Sequence, residues 1–229
     1  MERMELSEAS YDMLRAGKKV KTIKDRDEME KVFIEHGIPV FDEVISFQEQ
    51  FGGIWYKIGE KFYRGFRMDM FSFNEFKDKY ELLYFTKEGG KYFFQCMDYH
   101  YAGDIGPCID EDGKVYYFGM GQFFISADTI EEFLDDEAIR FSFVNKYPSW
   151  LTRGSNLDEI NKFKKDNIFI KIKRDSFSDK YFEWWCNKEE TIFIRIDLKS
   201  KYNYAIVFCK NQEILNELYE SEVSARIYP

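Results

Sequence analysis

The residues best suited to chemistry in this sequence are carboxylates, and they are concentrated in one stretch. Between Asp98 and Glu137 there are eleven acidic residues and a single base, Lys114, whereas the rest of the chain holds 31 acids and 32 bases. The net charge of −9 therefore arises almost entirely within forty residues. Such a concentration of carboxylates can bind a metal ion, take part in acid–base catalysis, or attract a basic partner through long-range electrostatics.

The segment Asp110-Glu111-Asp112-Gly113 resembles the opening of a calcium-binding loop. The remainder of that pattern is missing, because Lys114 and Gly121 stand where an oxygen ligand and a bidentate glutamate are expected. Two acids followed by Asp-Gly are more typical of a hairpin turn. No spacing among the other carboxylates selects a particular acid–base pair.

Histidine and cysteine form no familiar catalytic or metal-binding pattern. His36 fits the C-terminus of a predicted helix, where a positive charge is favoured. A zinc site from Cys96, His100 and Cys108 is conceivable, although the spacing matches no common closed site. Cys186 and Cys209 complete a scattered set without a C-x-x-C pair, which is typical of reduced thiols in the cytoplasm.

Motifs of the common enzyme classes are missing from the sequence. It contains no phosphate-binding G-x-x-x-x-G-K-[ST] loop, no H-E-x-x-H and no G-x-S-x-G. Gly119-Met120-Gly121 lacks the third glycine of a dinucleotide loop and precedes a predicted strand, so it indicates a turn. We therefore predict a protein that is not an enzyme and needs no metal or other cofactor.

Composition is typical of a folded protein that works in the cytoplasm. Hydrophobic residues make up 45% and charged residues 33% of the 229 residues, enough for a sizeable core and a polar surface. No apolar run reaches the roughly 18 residues that a membrane-spanning helix needs, and the first residues lack the apolar region of a secretory signal. The many Phe and Tyr residues are explained by core filling or genome bias, or alternatively by aromatic binding hot spots.

The elements that must position these carboxylates form an α+β pattern in the first part of the chain. A helix is predicted from the N-cap Asp25 to Gly37, and a second one from Pro39 to Gly52-Gly53. Aromatic and β-branched runs then predict a largely antiparallel or mixed sheet flanked by helices. The predicted strands are Ile54–Ile58, Lys61–Met68, Glu81–Thr86, Lys91–Met97, Lys114–Phe118 and Gln122–Ile125, with turns at Gly59-Glu60, Glu88-Gly89-Gly90 and Asp112-Gly113.

The clearest predicted helix follows these strands. Asp128 is its expected N-cap and Glu131 its capping-box partner, with an apolar face from Ile130 to Phe141 and acids on the opposite face. We place a boundary at Tyr147-Pro148, which divides the chain into an α+β domain over 24–148 and a C-terminal α+β extension over 149–229. The extension is predicted to hold helices at Asn156–Lys165 and Gln212–Tyr219 and strands at Ile168–Lys173, Tyr181–Cys186, Thr191–Leu198 and Tyr204–Cys209.

One arrangement of residues goes beyond composition. Ile38-Pro39-Val40-Phe41-Asp42-Glu43 begins a predicted helix that ends at Phe51-Gly52-Gly53, and a strand with Trp55 follows. Farther on, strands lead through Ser126-Ala127-Asp128 to the pair Phe133-Leu134 in a late helix. This arrangement resembles the SUKH superfamily, which includes bacterial toxin-immunity proteins and a yeast cell-wall-assembly regulator. The resemblance spans roughly Asp25 to Asn145 and implies a SUKH-like α+β fold without known catalytic residues, which binds a partner protein.

Charge and resemblance lead to one main hypothesis. The chain is expected to be an immunity protein that neutralises a cognate, basic toxin domain, such as a nuclease, since nucleases carry positive charge to bind phosphates. We expect no nucleic-acid or membrane partner, and a monomer or weak homodimer. The predicted partner-binding residues are Asp110, Glu111, Asp112, Glu131, Glu132, Asp135, Asp136, Glu137, Trp55 and Tyr99. Two alternatives remain, an intracellular regulatory scaffold and a carboxylate-dependent hydrolase.

Overall fold

A computed structural model describes residues 6–56, 66–98, 106–119, 121–146, 151–166, 169–172, 180–199 and 204–210. The fold is α+β, as predicted, and the strand pairs within these ranges are antiparallel. The chain divides into two compact units, unit 1 (Met1–Ser142) and unit 2 (Phe143–Pro229). The predicted boundary at Tyr147-Pro148, the turn at Gly59-Glu60 and the helix at Gln212–Tyr219 lie outside the described residues.

The first three helices are α1 (Glu8–Ala16), α2 (Arg26–Glu35) and α3 (Asp42–Phe51). Asp25 caps α2 as predicted, because its carboxylate accepts a hydrogen bond from the Glu28 N–H at 3.0 Å. The prediction that Pro39 starts α3 is wrong. Phe41 is extended, with φ −118°, and its ring packs 5.5 Å from Tyr92, so tertiary packing delays the helix to Asp42.

The strands of unit 1 are β1 (Lys18–Lys19), β2 (Ile54–Tyr56), β3 (Phe66–Met68), β4 (Phe71–Asn74), β5 (Lys79–Leu82), β6 (Phe85–Glu88), β7 (Lys91–Gln95), β8 (Met97–Asp98), β9 (Cys108–Asp110), β10 (Val115–Gly119) and β11 (Gln122–Ala127). One sheet has the order β1-β2-β3-β8, a second has the order β11-β10-β9-β7-β6, and β4 pairs with β5 as a separate hairpin.

Two predicted strands each divide between sheets. Lys91–Met97 breaks at Cys96, whose N–H donates to the Pro107 carbonyl at 2.9 Å, so β7 and β8 join different partners. Glu81–Thr86 breaks at Leu83, whose N–H donates to the Met70 carbonyl at 2.8 Å. Residue type marked both runs as extended, but only these long-range hydrogen bonds decide where each strand changes sheet.

The fourth helix, α4, runs over Ile130–Lys146 and begins one residue later than its predicted cap implies. Thr129, not Asp128, caps it by accepting the Glu132 N–H at 3.2 Å. The Glu132 carboxylate in turn accepts the Asp128 N–H at 2.8 Å, so the capping box uses Thr129 and Glu132. The apolar face is as expected for Phe133 and Leu134, which are buried.

Unit 2 holds one five-stranded sheet and a helix. Its elements are β12 (Leu151–Asn156), α5 (Leu157–Asp166), β13 (Phe169–Lys171), β14 (Phe182–Asn187), β15 (Ile192–Asp197) and β16 (Tyr204–Cys209), in the sheet order β12-β16-β15-β14-β13. Ile160 of α5 packs with Ile194 and Val207 in a buried core. Strand β12 was not predicted, whereas the other elements lie within a few residues of their expected places.

Candidate functional site

Unit 1 contains an open groove of about 680 Å³ with several carboxylates in its lining, here called the acidic groove. Its acidic lining residues are Glu43, Glu49, Asp112, Asp128 and Glu131. No lysine or arginine lines it among the residues that the structure describes. The apolar lining residues are Phe47, Phe51, Ile109 and Ile130, and all four side chains are buried. The groove thus combines an acidic rim with an apolar floor.

Three elements contribute to the acidic groove. The solvent side of α3 supplies Glu43 and Glu49, which are both exposed. The turn between β9 and β10 supplies Asp112 and approaches α3 closely at Gly113, where an added Cβ would lie 3.4 Å from the Cβ of Glu43. The first turn of α4 supplies Glu131, whose charge is favoured near a helix N-terminus.

The buried side chain of Asp110 stabilises the β9–β10 turn through hydrogen bonds. Its fully buried carboxylate accepts hydrogen bonds from the Asp112 N–H at 3.0 Å and the Lys114 N–H at 2.9 Å. Its second oxygen accepts the Tyr116 hydroxyl at 3.1 Å and the Lys91 ammonium at 3.1 Å. Apart from Lys91, the hydrogen-bond donors to Asp110 lie within six residues of it in the sequence, so the conformation of the turn depends mainly on neighbouring residues. Asp110 is therefore a structural residue, not part of the exposed rim.

Asp112 has the opposite environment, although it lies only two residues away. Its side chain is 57% exposed and pairs with Lys91. The hydrogen bond from Lys91 lowers the pKa of Asp112, and the two aspartates together raise the pKa of Lys91. Glu111 accepts the Tyr92 N–H at 3.1 Å and so joins the turn to β7. The DEDG segment is a hairpin turn, as predicted.

The prediction of a solvated acidic face on α4 is wrong. Glu132, Asp135, Asp136 and Glu137 are between 3% and 7% exposed. Glu132 is engaged in the capping box, and Glu137 pairs with Arg140 one turn later. Helical periodicity identified the apolar face, but periodicity does not report whether the opposite face is covered as well. Of the helix acids predicted to bind a partner, we therefore keep Glu131 alone in the acidic groove.

Trp55, one of the two aromatic candidates, does not line the acidic groove. Trp55 is half-buried in β2, where the Lys18 ammonium lies 5.6 Å from its ring centroid. Tyr99 lies outside the described residues, as does His100. Sequence analysis missed Glu43 and Glu49, because they lie outside the acidic stretch. The feature of the sequence that could have identified Glu43 and Glu49 is their position on the polar side of the predicted helix from Pro39 to Gly52-Gly53.

Neither the cysteines nor the carboxylates assemble a metal centre in the described part of the chain, where no group of three or more potential ligands occurs. Cys96 donates a hydrogen bond to the Pro107 carbonyl at 3.3 Å, and Cys108 donates one to the Gly106 carbonyl at 3.5 Å. Burial raises the pKa of the Cys108 thiol to about 12, and burial also raises the pKa of the Cys96 thiol above its ordinary value. Both therefore act as neutral, hydrogen-bonded core residues.

Comparison of the chain with protein-family models, with curated proteins and with solved structures gave no match. The resemblance to the SUKH superfamily therefore rests on the sequence features given above. Among the helices of the described ranges, none combines the length and apolar character needed to cross a membrane.

Proposed function

We propose that unit 1 binds a basic segment of another protein in the acidic groove, and that the chain is an immunity protein for a basic toxin domain. The observation that carries this proposal is the acidic rim around an apolar floor, without a lysine or arginine among the described lining residues. Interfaces of high affinity combine buried apolar anchors with a polar rim. The acidic groove supplies the polar rim, whereas its four apolar lining side chains are already buried within unit 1, so charge is its main contribution to binding.

Electrostatics supports a basic partner. A concave surface lined by charges of one sign concentrates the field and speeds the association of oppositely charged proteins. Lys91 partly compensates Asp112, so the uncompensated contribution comes chiefly from Glu43 and Glu49, which project from α3. A toxin that binds nucleic acid presents the complementary positive surface. The SUKH resemblance supports the same class of partner.

Genetic context provides the first test. We expect the gene for this chain to lie beside one for a large secreted protein with a toxic C-terminal domain. Expression of that domain should stop growth of a host cell, and co-expression of this chain should restore it. Growth arrest that this chain fails to relieve would contradict the immunity proposal. An isolated locus would favour the regulatory-scaffold alternative.

Binding kinetics test the groove itself. The double variant Glu43→Lys, Glu49→Lys should slow association with the purified toxin domain by about tenfold or more at low salt, because steering depends on these charges. The control is Glu75→Lys, Glu88→Lys, which changes the same net charge at exposed positions away from the groove. Equal association rates for the two variants in stopped-flow measurements would show that the acidic groove is not the binding surface.

A further inference from the structure

We propose that a second groove of unit 1, the lysine groove, binds an acidic segment of the same partner protein. This inference rests on the proposed function and specifies the partner further: its binding surface must present a basic element and, next to it, a cluster of carboxylates. The lysine groove has a volume of about 370 Å³. The lining residues used below are Lys19, Lys21, Thr22, Lys24, Gln50 and Gly53.

The charge of the lysine groove is the reverse of that of the acidic groove. Lys19, Lys21 and Lys24 are exposed, and no acidic residue belongs to the lining that the structure describes. The Lys24 ammonium donates a hydrogen bond to the Glu49 carbonyl at 3.0 Å, which holds it at the end of α3. Partial burial and the neighbouring charge of Lys19 lower the pKa of Lys24. A bound carboxylate would relieve this repulsion between lysines.

The lysine groove is built on a rigid support. Thr22 donates a hydrogen bond to the buried Asp69 carboxylate at 2.8 Å, and Gln48 donates to the same oxygen at 2.8 Å. Gln48 also donates to the Ile23 carbonyl at 3.0 Å. Because Thr22 and Ile23 lie between Lys21 and Lys24, these bonds fix the backbone that carries the lysines. A backbone that is already ordered lowers the entropic cost of binding a ligand there.

The acidic groove next to the lysine groove favours protein carboxylates over nucleic acid as the ligand of the lysine groove. Gln50 lines both grooves, so the two surfaces meet at the last turn of α3. Fixed charges interact over a Debye length of about 8 Å at physiological salt. A nucleic acid strand leaving the lysine groove would therefore be repelled by Glu49 and its neighbours. A protein surface can place carboxylates in one groove and lysines or arginines in the other, which satisfies both.

Peptide probes test the lysine groove on the full chain without knowledge of the partner. In two-dimensional NMR spectra at low salt, hexaglutamate should shift amide signals of residues 19–24 and 52–54. Hexalysine should shift signals of residues 43–51, 112–113 and 128–131 instead. A thymidine heptanucleotide, with about the same charge as hexaglutamate, should bind the lysine groove at least about fivefold more weakly, because it is longer and meets the acidic rim.

The decisive variant is Lys19→Gln, Lys21→Gln, Lys24→Gln. It should bind hexaglutamate about tenfold or more weakly, since each exposed ion pair contributes modestly and three are lost. The matched control, Lys31→Gln, Lys87→Gln, Lys188→Gln, removes as many exposed lysines outside the groove and should bind like the native chain. A dispersed NMR spectrum for each variant verifies folding.

The outcomes separate this inference from the proposed function. An equal loss of hexaglutamate binding in the variant and the control would contradict the assignment of the lysine groove as a binding site. Hexalysine binding at the acidic groove in the same experiment would still support the proposed function. Heptanucleotide binding as tight as that of hexaglutamate would overturn the assignment to a protein carboxylate. Failure of hexalysine to bind the acidic groove would contradict the proposed function. It would also contradict the idea that one partner protein occupies both grooves.

Discussion

The acidic groove and the lysine groove share Gln50 at the end of α3, and each carries its exposed charges above a fully buried aspartate. The two buried aspartates differ in how far along the sequence their hydrogen-bond partners lie. Asp110, beneath the acidic groove, bonds mainly to its own turn, whereas Asp69, beneath the lysine groove, joins Thr22 and Gln48, which lie 47 and 21 residues away. One support is local and the other connects distant segments, so their removal should have different consequences.

The largest difference is expected between Asp69→Ala and Asp110→Ala. Asp69→Ala should lower the free energy of unfolding by about 3–5 kcal/mol, because it takes the carboxylate acceptor away from the Arg67 guanidinium, the Thr22 hydroxyl and the Phe71 N–H. Asp110→Ala should cost about 1–3 kcal/mol, since Lys91 keeps Asp112 as a partner and the remaining donors lie in a surface turn. Urea unfolding followed by circular dichroism measures both.

Glu75→Ala is the control for this pair, because Glu75 is exposed in the turn between β4 and β5. It should change the free energy of unfolding by less than about 0.5 kcal/mol. Equal losses for Asp69→Ala and Asp110→Ala would contradict the distinction between a local and a long-range support.

The next effect concerns one glycine at each groove. Gly53 and Gly113 both have positive φ, 76° and 86°, so alanine is strained at either position by about 1–2 kcal/mol. At Gly53 an added Cβ would also lie 2.5 Å from the Val20 carbonyl oxygen, whereas at Gly113 the nearest atom is 3.4 Å away. Gly53→Ala should therefore destabilise the protein by about 3 kcal/mol and Gly113→Ala by about 1 kcal/mol. Thermal unfolding measures both variants, and equal losses would contradict the steric cost at Gly53 by showing that the lysine groove relaxes around the new methyl group.

A smaller effect is expected at the helix end that borders the acidic groove. Thr129→Ala removes the acceptor for the Glu132 N–H and should cost about 1 kcal/mol of unfolding free energy. Thr129→Ser keeps the hydroxyl and should restore most of this stability in the same urea titration. A cap at Asp128, as the sequence suggested, would instead make Thr129→Ala nearly neutral.

The smallest effect is a pH dependence at the rim of the acidic groove. Lys91 lowers the pKa of Asp112, so this pair stabilises the folded state above the ordinary aspartate pKa and its contribution is lost as the pH falls through the lowered value. Asp112→Asn should cost at most about 0.5 kcal/mol near pH 7, because the pair is exposed, and this cost should disappear as the pH falls below the lowered pKa of Asp112. Urea titrations across this range measure the difference, and a cost that persists in acid would contradict the charge pairing.

Local patterns predicted much of the fold. Asp25 and its capped helix, the turn at Asp110–Gly113, the apolar face of α4 and strands β13 to β16 of unit 2 were expected from periodicity and turn chemistry, whereas β12 was not. The errors occurred where distant residues compete with local preference. Phe41 packs on Tyr92 and so delays α3, and Cys96 bonds to Pro107 and so divides a strand between two sheets.

The candidate site was predicted less completely than the fold. Asp112 and Glu131 were expected at a binding surface and do line the acidic groove. Glu43 and Glu49 were not expected, because the charge excess drew attention to a different part of the chain. The acids of α4 from Glu132 to Glu137 were expected in solvent and are buried. Local charge density therefore led to two of the residues that line the acidic groove, but it did not distinguish exposed carboxylates from buried ones.

The sequence by itself determined the α+β class, the excess of negative charge in one stretch and the local turn around Asp110, because these depend on composition and on residues near one another in the chain. Only the tertiary structure decided which carboxylates reach solvent, since exposure depends on what distant segments cover. It also decided that Glu43 joins Asp112 and Glu131 around one groove, and that Asp69 fixes the backbone of a second groove of opposite charge. Contacts across the fold, rather than charge counts, define the proposed binding surfaces.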